Sequence, residues 1–586
     1  MLMNLVLKTI SIFIIVLANL QLIAQSPSNQ IALNQVGFYP KVSKLAIVIN
    51  AKEASQFYVI SSDKKDTVFH GKLSASLASA FSSLHTQKAN FSALKQPGTY
   101  RVYVPSVGYS STFKISKDIF KGVAKASFKA YYFQRASMPL QKQFAGIWAR
   151  KEGHPDSTVF IHSSAATENR MANTIIASPG GWYDAGDYNK YVVNSGITMG
   201  TMLSGYEDFS AYFNQIKTNI PESNNALPDI LDEVLYNLRW MFTMQDTDGG
   251  VYHKCTNANF DAMIMPEAAV AKRYVVQKGT AASLDFAAVM AQASRICKQF
   301  PKQLPGLADS CLSAAKLAWI WAQKNPEIPY DQNELNKNFL PAIKTGDYGD
   351  NNLKDEFFWA ACELLVTTKD TNYLQTIIKA PIINMTLPSW ANVNMLGCYT
   401  LVRFKNKLPL IANNVVESIA KKIIDLSDKL LLNGGNKAFG SIFGQNKSDF
   451  VWGSNSVAMN QSVALINAYL ITKDKKYLTS ALTNMDYILG QNATGYCFLT
   501  GFGTKPSMHP HHRQSVSDGI TDPVPGMLVG GPNPGMQDKC AYANKETETA
   551  YTDDDCAYAC NEIAINWNAP LVYVANALEA LQIHLQ

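Results

Sequence analysis

Near residue 118 the apolar residues change their spacing from period two to a period of about 3.6, and the second spacing persists to residue 584. Upstream of that break, short runs rich in β-branched and aromatic residues recur: Lys44–Ile49, Gln56–Ile60 and Tyr100–Val104, with Pro97-Gly98 as a turn before the last. Tyr100, Val102 and Val104 alternate there with Arg101 and Tyr103. Such strands predict a small β-sandwich over residues 30–115. Downstream, Ile230, Leu231, Val234, Leu235, Leu238, Met241 and Phe242 share one helical face, as do Val415, Val416, Ile419, Ile423, Ile424 and Leu430. Further helices are expected near 118–140, 281–299, 310–323, 354–368, 457–472, 476–489 and 562–584. A helical region running from 120 to 586 exceeds what one ordinary core supports. No short repeat points to a solenoid. Helices closed into a double ring fit the size. Long loops rich in Gly, Pro, Asn and aromatic residues, 176–192 and 490–560, interrupt the helices and are where function is expected.

The first 25 residues read as an export signal. Lys8 precedes the apolar run Ile10–Ala18, and cleavage is expected after Ala24 or Gln25. A secreted or periplasmic protein is therefore expected, with no membrane span, since no later run reaches the ~18 apolar residues a span needs. The net charge of +6 is small for 586 residues, and its Lys and Arg are scattered, which argues against a nucleic-acid partner. Nine cysteines lack zinc-finger spacing. In an oxidising compartment, Cys540, Cys556 and Cys560 are candidates for a disulfide, with buried free thiols the alternative.

Three segments carry candidate chemistry. Gly180–Tyr191 sets Asp184 and Asp187 three residues apart in a loop whose Ala185 and Gly186 let both acids reach one water; an oxygen-rich calcium loop is the other reading. Gly503–Arg513 holds His509, His511 and His512, which suit a metal site or a polar clamp on sugar hydroxyls. Tyr551–Ala569 follows Asp553, Asp554 and Asp555 with Glu562, at the expected start of an apolar helix. There the helix N-terminus favours the charged carboxylate. Neighbouring acids and burial favour the protonated one. Separated carboxylates, a His/Arg clamp and abundant aromatics (27 Tyr, 27 Phe, 9 Trp) are the ingredients of a polysaccharide cleft. Glycosidic cleavage needs an acid on one side of the bond and a base or nucleophile on the other. No nucleophile elbow, phosphate loop or dinucleotide fingerprint competes.

In this order the three segments resemble glycoside hydrolase family 9, the inverting endoglucanases. Asp184–Asp187 matches the family's Asp-Ala-Gly-Asp element. Gly503, Lys505, Pro510, His511 and Arg513 match its histidine motif, and Tyr551, Asp553, Tyr558, Glu562, Ala564, Asn568 and Ala569 its acid motif. Ile31–Tyr39 resembles the opening of the immunoglobulin-like domain found before some of the family's catalytic domains. The resemblance implies a multidomain chain: an N-terminal immunoglobulin-like β-sandwich (30–115) followed by an all-α (α/α)6 barrel (120–586). It implies Asp187 as base, Asp184 holding the water, and Glu562 as proton donor, with about 6.5–9.5 Å between acid and base. Asp553, His511 and Arg513 would shape the subsite at the cleaved sugar. His253 would be a substrate contact, alongside Tyr558.

Trp182, Tyr252, Trp359, Trp390, Trp452 and Trp567 are stacking candidates for the cleft. Trp567 stands where many relatives have Tyr, and Cys497 where the histidine motif usually opens with Ser, Thr or Val. Relatives that bind zinc use a Cys/His cluster early in the catalytic domain, and residues 120–190 contain no Cys, so no such zinc is expected. No cofactor is required, and a structural calcium is possible. The expected activity is hydrolysis of internal β-1,4-glucosidic bonds of a β-glucan polysaccharide or oligosaccharide by a monomer. The alternatives are an exo-acting β-glucosidase or β-glucosaminidase of the same family, and a non-catalytic carbohydrate-binding protein.

Overall fold

The computed structural model describes residues 26–380 and 385–585, so the export signal anticipated at 1–25 lies outside the described residues. Ten strands fill the first domain: β1 (Ile31–Ala32), β2 (Gly37–Phe38), β3 (Leu45–Ile49), β4 (Gln56–Ser61), β5 (Thr67–Lys72), β6 (Leu77–Ala78), β7 (His85–Asn90), β8 (Gly98–Val104), β9 (Gly108–Tyr109) and β10 (Phe113–Ile115). They form two sheets, β1-β3-β7-β6 and β2-β10-β8-β4-β5 with β9 on β8. In β8 Tyr100, Val102 and Val104 turn inward, as their alternation requires, to meet Phe57, Val59 and Phe113 of one sheet and Ala46 and Val48 of the other.

Among the described residues, twelve helices of eight residues or more follow: α1 (Lys121–Phe133), α2 (Val192–Phe213), α3 (Asp229–Thr243), α4 (Thr280–Cys297), α5 (Leu307–Lys324), α6 (Lys354–Thr368), α7 (Asn372–Lys379), α8 (Asn394–Arg403), α9 (Asn413–Asn433), α10 (Ser454–Thr472), α11 (Lys475–Ile488) and α12 (Ile565–Ala580). The even-numbered helices are the inner ring, with α2, α4 and α12 buried on nearly every face; each pairs with the next helix in sequence, and α12 closes the ring on α1 and α2. The outer helices are amphipathic: α9 buries only Val416, Ile419, Ile423, Ser427 and Leu430. α2, α7 and α8 escape the periodicity reading for two separate reasons. α2 has no polar face to alternate with its Gly, Ser, Thr and Met residues, and α7 and α8 are short.

A buried ion-pair cluster joins four inner helices at one end. Arg295 of α4 bridges Glu207 of α2 (2.6 Å) and Glu363 of α6 (2.5 Å), while Arg403 of α8 holds Asp208 of α2 (2.7 Å). A second feature is a five-stranded sheet within the helical domain, β12-β11-β15-β14-β13, built from β11 (Val159–Ile161), β12 (Ile175–Ile176), β13 (Lys190–Tyr191), β14 (Lys254–Asn257) and β15 (Arg273–Val275). Its strands are two to four residues long, and the three central to the site are wholly buried, so no alternation marks them in the sequence.

The first domain grips the loops of the second. Asn34 donates to the buried Asp486 (2.8 Å). Gln35 donates to Gly495 O and accepts from the backbone N–H groups of Thr504 and Lys505 (2.9 Å each). Glu548 accepts from Ser79, Ser82 and Asn436, and Tyr39 donates to Glu579 of α12 (2.6 Å). Of the three candidate cysteines, Cys540 and Cys556 form a disulfide and Cys560 is a buried free thiol.

Candidate active site

Three chain segments meet at the mouth of the ring. The Asp184–Asp187 loop leads through β13 into α2. The acid segment crosses it: Ala185 pairs with Ala564, His511 pairs with Glu562, and Ile565 N–H donates to Asp184 O (2.8 Å). Gly186 permits the crossing. A Cβ there would lie 2.1 Å from the His511 carbonyl oxygen, which is backbone and cannot step aside.

Asp184 is buried and accepts on both oxygens, from Asn194 Nδ2 (2.6 Å) and Tyr348 OH (2.7 Å). Burial, then the charge of Asp187, push it up to about 8 against those two donors. Asp187 accepts from Asn189 and from Tyr191 OH (3.1 Å), both on Oδ2. Among the described residues no donor meets its Oδ1.

Glu562 corrects the expectation of a helix start. It is extended, in the link between the short turn Tyr558–Asn561 and α12, so the helix N-terminus does not act on it. Its side chain opens partly to the cleft. Burial raises its pKa well above the carboxylate range, with Asp187 and then Asp184 adding to that and Arg513 opposing it. The neighbouring acids that matter most are thus those of the distant loop, Asp187 and Asp184, rather than Asp553–Asp555.

Asp553 accepts from the backbone N–H groups of Met508 (2.8 Å) and His509 (2.9 Å) and from Asn561 Nδ2 (3.1 Å). It faces a polar pocket of about 430 Å³ separate from the acid–base cleft, and so holds the histidine loop in place. His511 donates from Nδ1 to Asp555 O (2.6 Å), and among the described residues no hydrogen-bond partner meets Nε2; burial lowers its pKa and favours the neutral ring. Arg513, expected on the sugar, gives three of its five N–H donors to Gly186 O (2.8 Å) and Asp261 O (2.8 and 2.9 Å). It clamps the acid loop.

The cleft encloses about 420 Å³ between Asp184, Asp187 and Glu562 and aromatic walls of Phe260, Tyr348, Trp390, Trp452 and Trp567. Trp452 is 42% exposed and lies 5.3 Å from the Tyr558 ring, whose hydroxyl donates to Gln537 O. Trp567 fits because residue 453 is Gly: a Cβ there would fall 2.6 Å from the indole nitrogen. Trp182, by contrast, is core. It is fully buried, its Nε1 donates to Glu233 (2.9 Å), and its ring packs on Tyr131. Tyr252 and Trp359 are buried too. His253 stacks on Tyr330 (3.9 Å) and bonds Asp347 O (2.8 Å), behind the wall rather than on it. Cys497 is packed in the interior. The residues that sequence reasoning missed are Tyr348, Asn194 and Phe260. No local spacing announces them, because α2 and two distant loops bring them to the acids.

Asp285 and Glu356, on the inner helices α4 and α6, carry four buried carboxylate oxygens with no hydrogen-bond partner, and burial beside Asp350 and Asp355 raises all four acids. The donor set suits a hard cation such as calcium. Among the described residues no three of these acids bring single oxygens within 4.8 Å of one another, so a bound ion would draw them inward.

A helical double ring, with a cleft of opposed carboxylates between aromatic walls, has the parts of a glycoside hydrolase. The model of glycosyl hydrolase family 9 matches residues 120–575, and that of the cellulase N-terminal ig-like domain matches 26–109. A xyloglucan-specific endo-beta-1,4-glucanase of Bacteroides ovatus is 46% identical over 560 residues, 95% of both chains, and Endoglucanase D of Acetivibrio thermocellus is 32% identical over 93% of this chain and 82% of its own length. Among solved structures, a Bacteroides ovatus family 9 protein superposes with a TM-score of 0.90 at 44% identity, covering 95% of this chain and all of that one. A metagenome-derived family 9 endoglucanase gives 0.86 at 30%, covering 94% and 99%. The chain belongs to glycosyl hydrolase family 9.

Proposed function

We propose that this glycoside hydrolase is an inverting endo-β-1,4-glucanase whose preferred polymer is xyloglucan. The observation that carries the mechanism is the asymmetry of the acids: burial and the charge of Asp187 favour the protonated form of Glu562, while Asp187 has one oxygen tied to the protein and the other open. Glu562 gives its proton to the glycosidic oxygen as the bond to the anomeric carbon breaks. Asp187 takes a proton from the water that attacks the opposite face, and Asp184 holds that water. With its ring proton on Nδ1, His511 Nε2 is placed to accept from a sugar hydroxyl. Trp452 and Trp567 offer faces for stacking. The choice of xyloglucan rests on the Bacteroides ovatus relative.

Export belongs to the same reading, supported by the Cys540–Cys556 disulfide, a bond that persists in oxidising compartments. So does a calcium ion at Asp285, Asp350, Asp355 and Glu356, which would neutralise buried charge between two inner helices and take no part in bond cleavage.

One assay tests activity, polymer and stereochemistry together: xyloglucan, mixed-linkage glucan and a soluble cellulose derivative, with product anomers followed by proton NMR and chain length by chromatography. Xyloglucan is expected to be cut fastest, into oligosaccharides carrying the α-anomer first. Monomer alone at early times would refute the endo action, and β-anomer first would refute inversion.

A further inference from the structure

Behind the cleft wall sits Lys254 of β14, fully buried. The other buried lysine of this small sheet, Lys190, has a carboxylate partner in Asp156 (2.7 Å). Lys254 has none at ion-pair distance among the described residues. Its ammonium donates instead to Gln332 Oε1 (2.6 Å), Gly346 O (2.6 Å) and Thr345 Oγ1 (3.3 Å), and it lies 5.5 Å from the centre of the Tyr191 ring. A buried cation without a counter-ion is expensive to keep, so its surroundings should show what offsets the cost.

They lead to one atom. Along the first route Gly346, whose carbonyl binds Lys254, donates its N–H to Tyr191 OH (3.0 Å), and that hydroxyl donates to Asp187 Oδ2 (3.1 Å). Along the second, Thr345 Oγ1 meets Thr256 Oγ1 (2.6 Å), Thr256 donates to Asn189 Oδ1 (2.9 Å), and Asn189 Nδ2 donates to the same Oδ2. Strand register fixes the geometry, because Tyr191 of β13 is the cross-strand partner of Lys254.

We propose that Lys254 is a positioning residue for the base: it supplies the buried positive charge that balances Asp187 and, through two hydrogen-bonded routes, locks Oδ2 so that Oδ1 faces the water. The proposal rests on the reading of Asp187 as base. The charged and titratable groups facing Asp187 are Asp184, Glu562, Asp261, His511, Tyr191 and Lys254; those facing Lys254 are Asp347, Asp187, His253, Tyr191 and Tyr330. Burial lowers the Lys254 ammonium to about 7, and Asp347 and Asp187 act to keep it charged.

The test is the pH dependence of kcat/KM on a soluble glucan for Lys254→Met, Lys254→Arg and Asp187→Asn. Without the cation, the acidic limb should move upward by about one pH unit, kcat should fall about tenfold and KM should stay within about twofold. Lys254→Arg keeps the charge and should leave the acidic limb in place even where kcat drops. Should Lys254→Met not fold, Tyr191→Phe and Thr256→Val each cut one route while keeping the charge, and each should raise the acidic limb by a smaller amount. An unmoved limb in all the variants that fold, beside an inactive Asp187→Asn, would overturn the proposal and leave the base intact. An active Asp187→Asn would instead overturn the base assignment itself.

Discussion

Asp187 and Glu562 differ in what the protein does with their oxygens, and that difference should be visible in kinetics. Glu562→Gln removes the proton donor, so polymer hydrolysis should fall at least about 10³-fold. A dinitrophenyl glycoside, whose leaving group needs no proton, should be cleaved at a rate much closer to that of the wild type. Asp187→Asn should be slow on both substrates. The raised Glu562 also sets the alkaline side of the pH profile: activity is retained while Glu562 holds its proton and falls as pH rises through its ionisation, a limb that Glu562→Gln should lack. Gly186→Ala should cost about 10²-fold in kcat, because the loop must retreat from the His511 carbonyl and carries Asp187 with it. The acids are legible in sequence because each lies in a local pattern of small and aromatic residues. Tyr348 and Asn194, which hold Asp184, are not, since Tyr348 is 164 residues away and Asn194 sits beyond the loop, in the all-buried first turns of α2.

At the level of elements, the outer helices and the strands of the sandwich declare themselves by period, because each has one wet face and one dry face. The inner helix α2 and the small sheet stay hidden for the converse reason. α2 is dry all round, and β13 and β14 together offer six residues, all buried. Arg513 shows what a motif position leaves out: three of its five N–H donors go to two backbone carbonyls, Gly186 O and Asp261 O, which no local spacing announces. The inner ring should respond to single changes in charge. Arg295→Met leaves Glu363 without a cation and Glu207 with Arg403 alone (3.4 Å), and should cost about 3–5 kcal/mol in denaturant unfolding. Millimolar calcium should raise the melting temperature, and Glu356→Gln should abolish that response, as differential scanning calorimetry can show.

Across the whole molecule, the sandwich is tied to the barrel through Asp486, which burial lifts to about 7. Its folded value lies above the unfolded value of about 3.9, so the native state binds more protons between these limits and stability falls as pH rises from about 4 to 7. Asp486→Asn keeps an acceptor for Asn34 and should gain melting temperature over the wild type at pH 8 but not at pH 4. Gln35→Ala frees the Thr504–Lys505 stretch leading to His511 and should lower kcat several-fold with KM little changed. The crossing of Ala185 with Ala564 has a consequence in time as well as in space. Ribosomes make the Asp184 loop early and Glu562 only after most of the barrel has been synthesised. A partly made or prematurely released chain therefore owns a base and no acid. Catalytic competence should arrive in one late step, when α12 seats between α1 and α2, and limited proteolysis that releases this helix should switch the enzyme off all at once rather than by degrees.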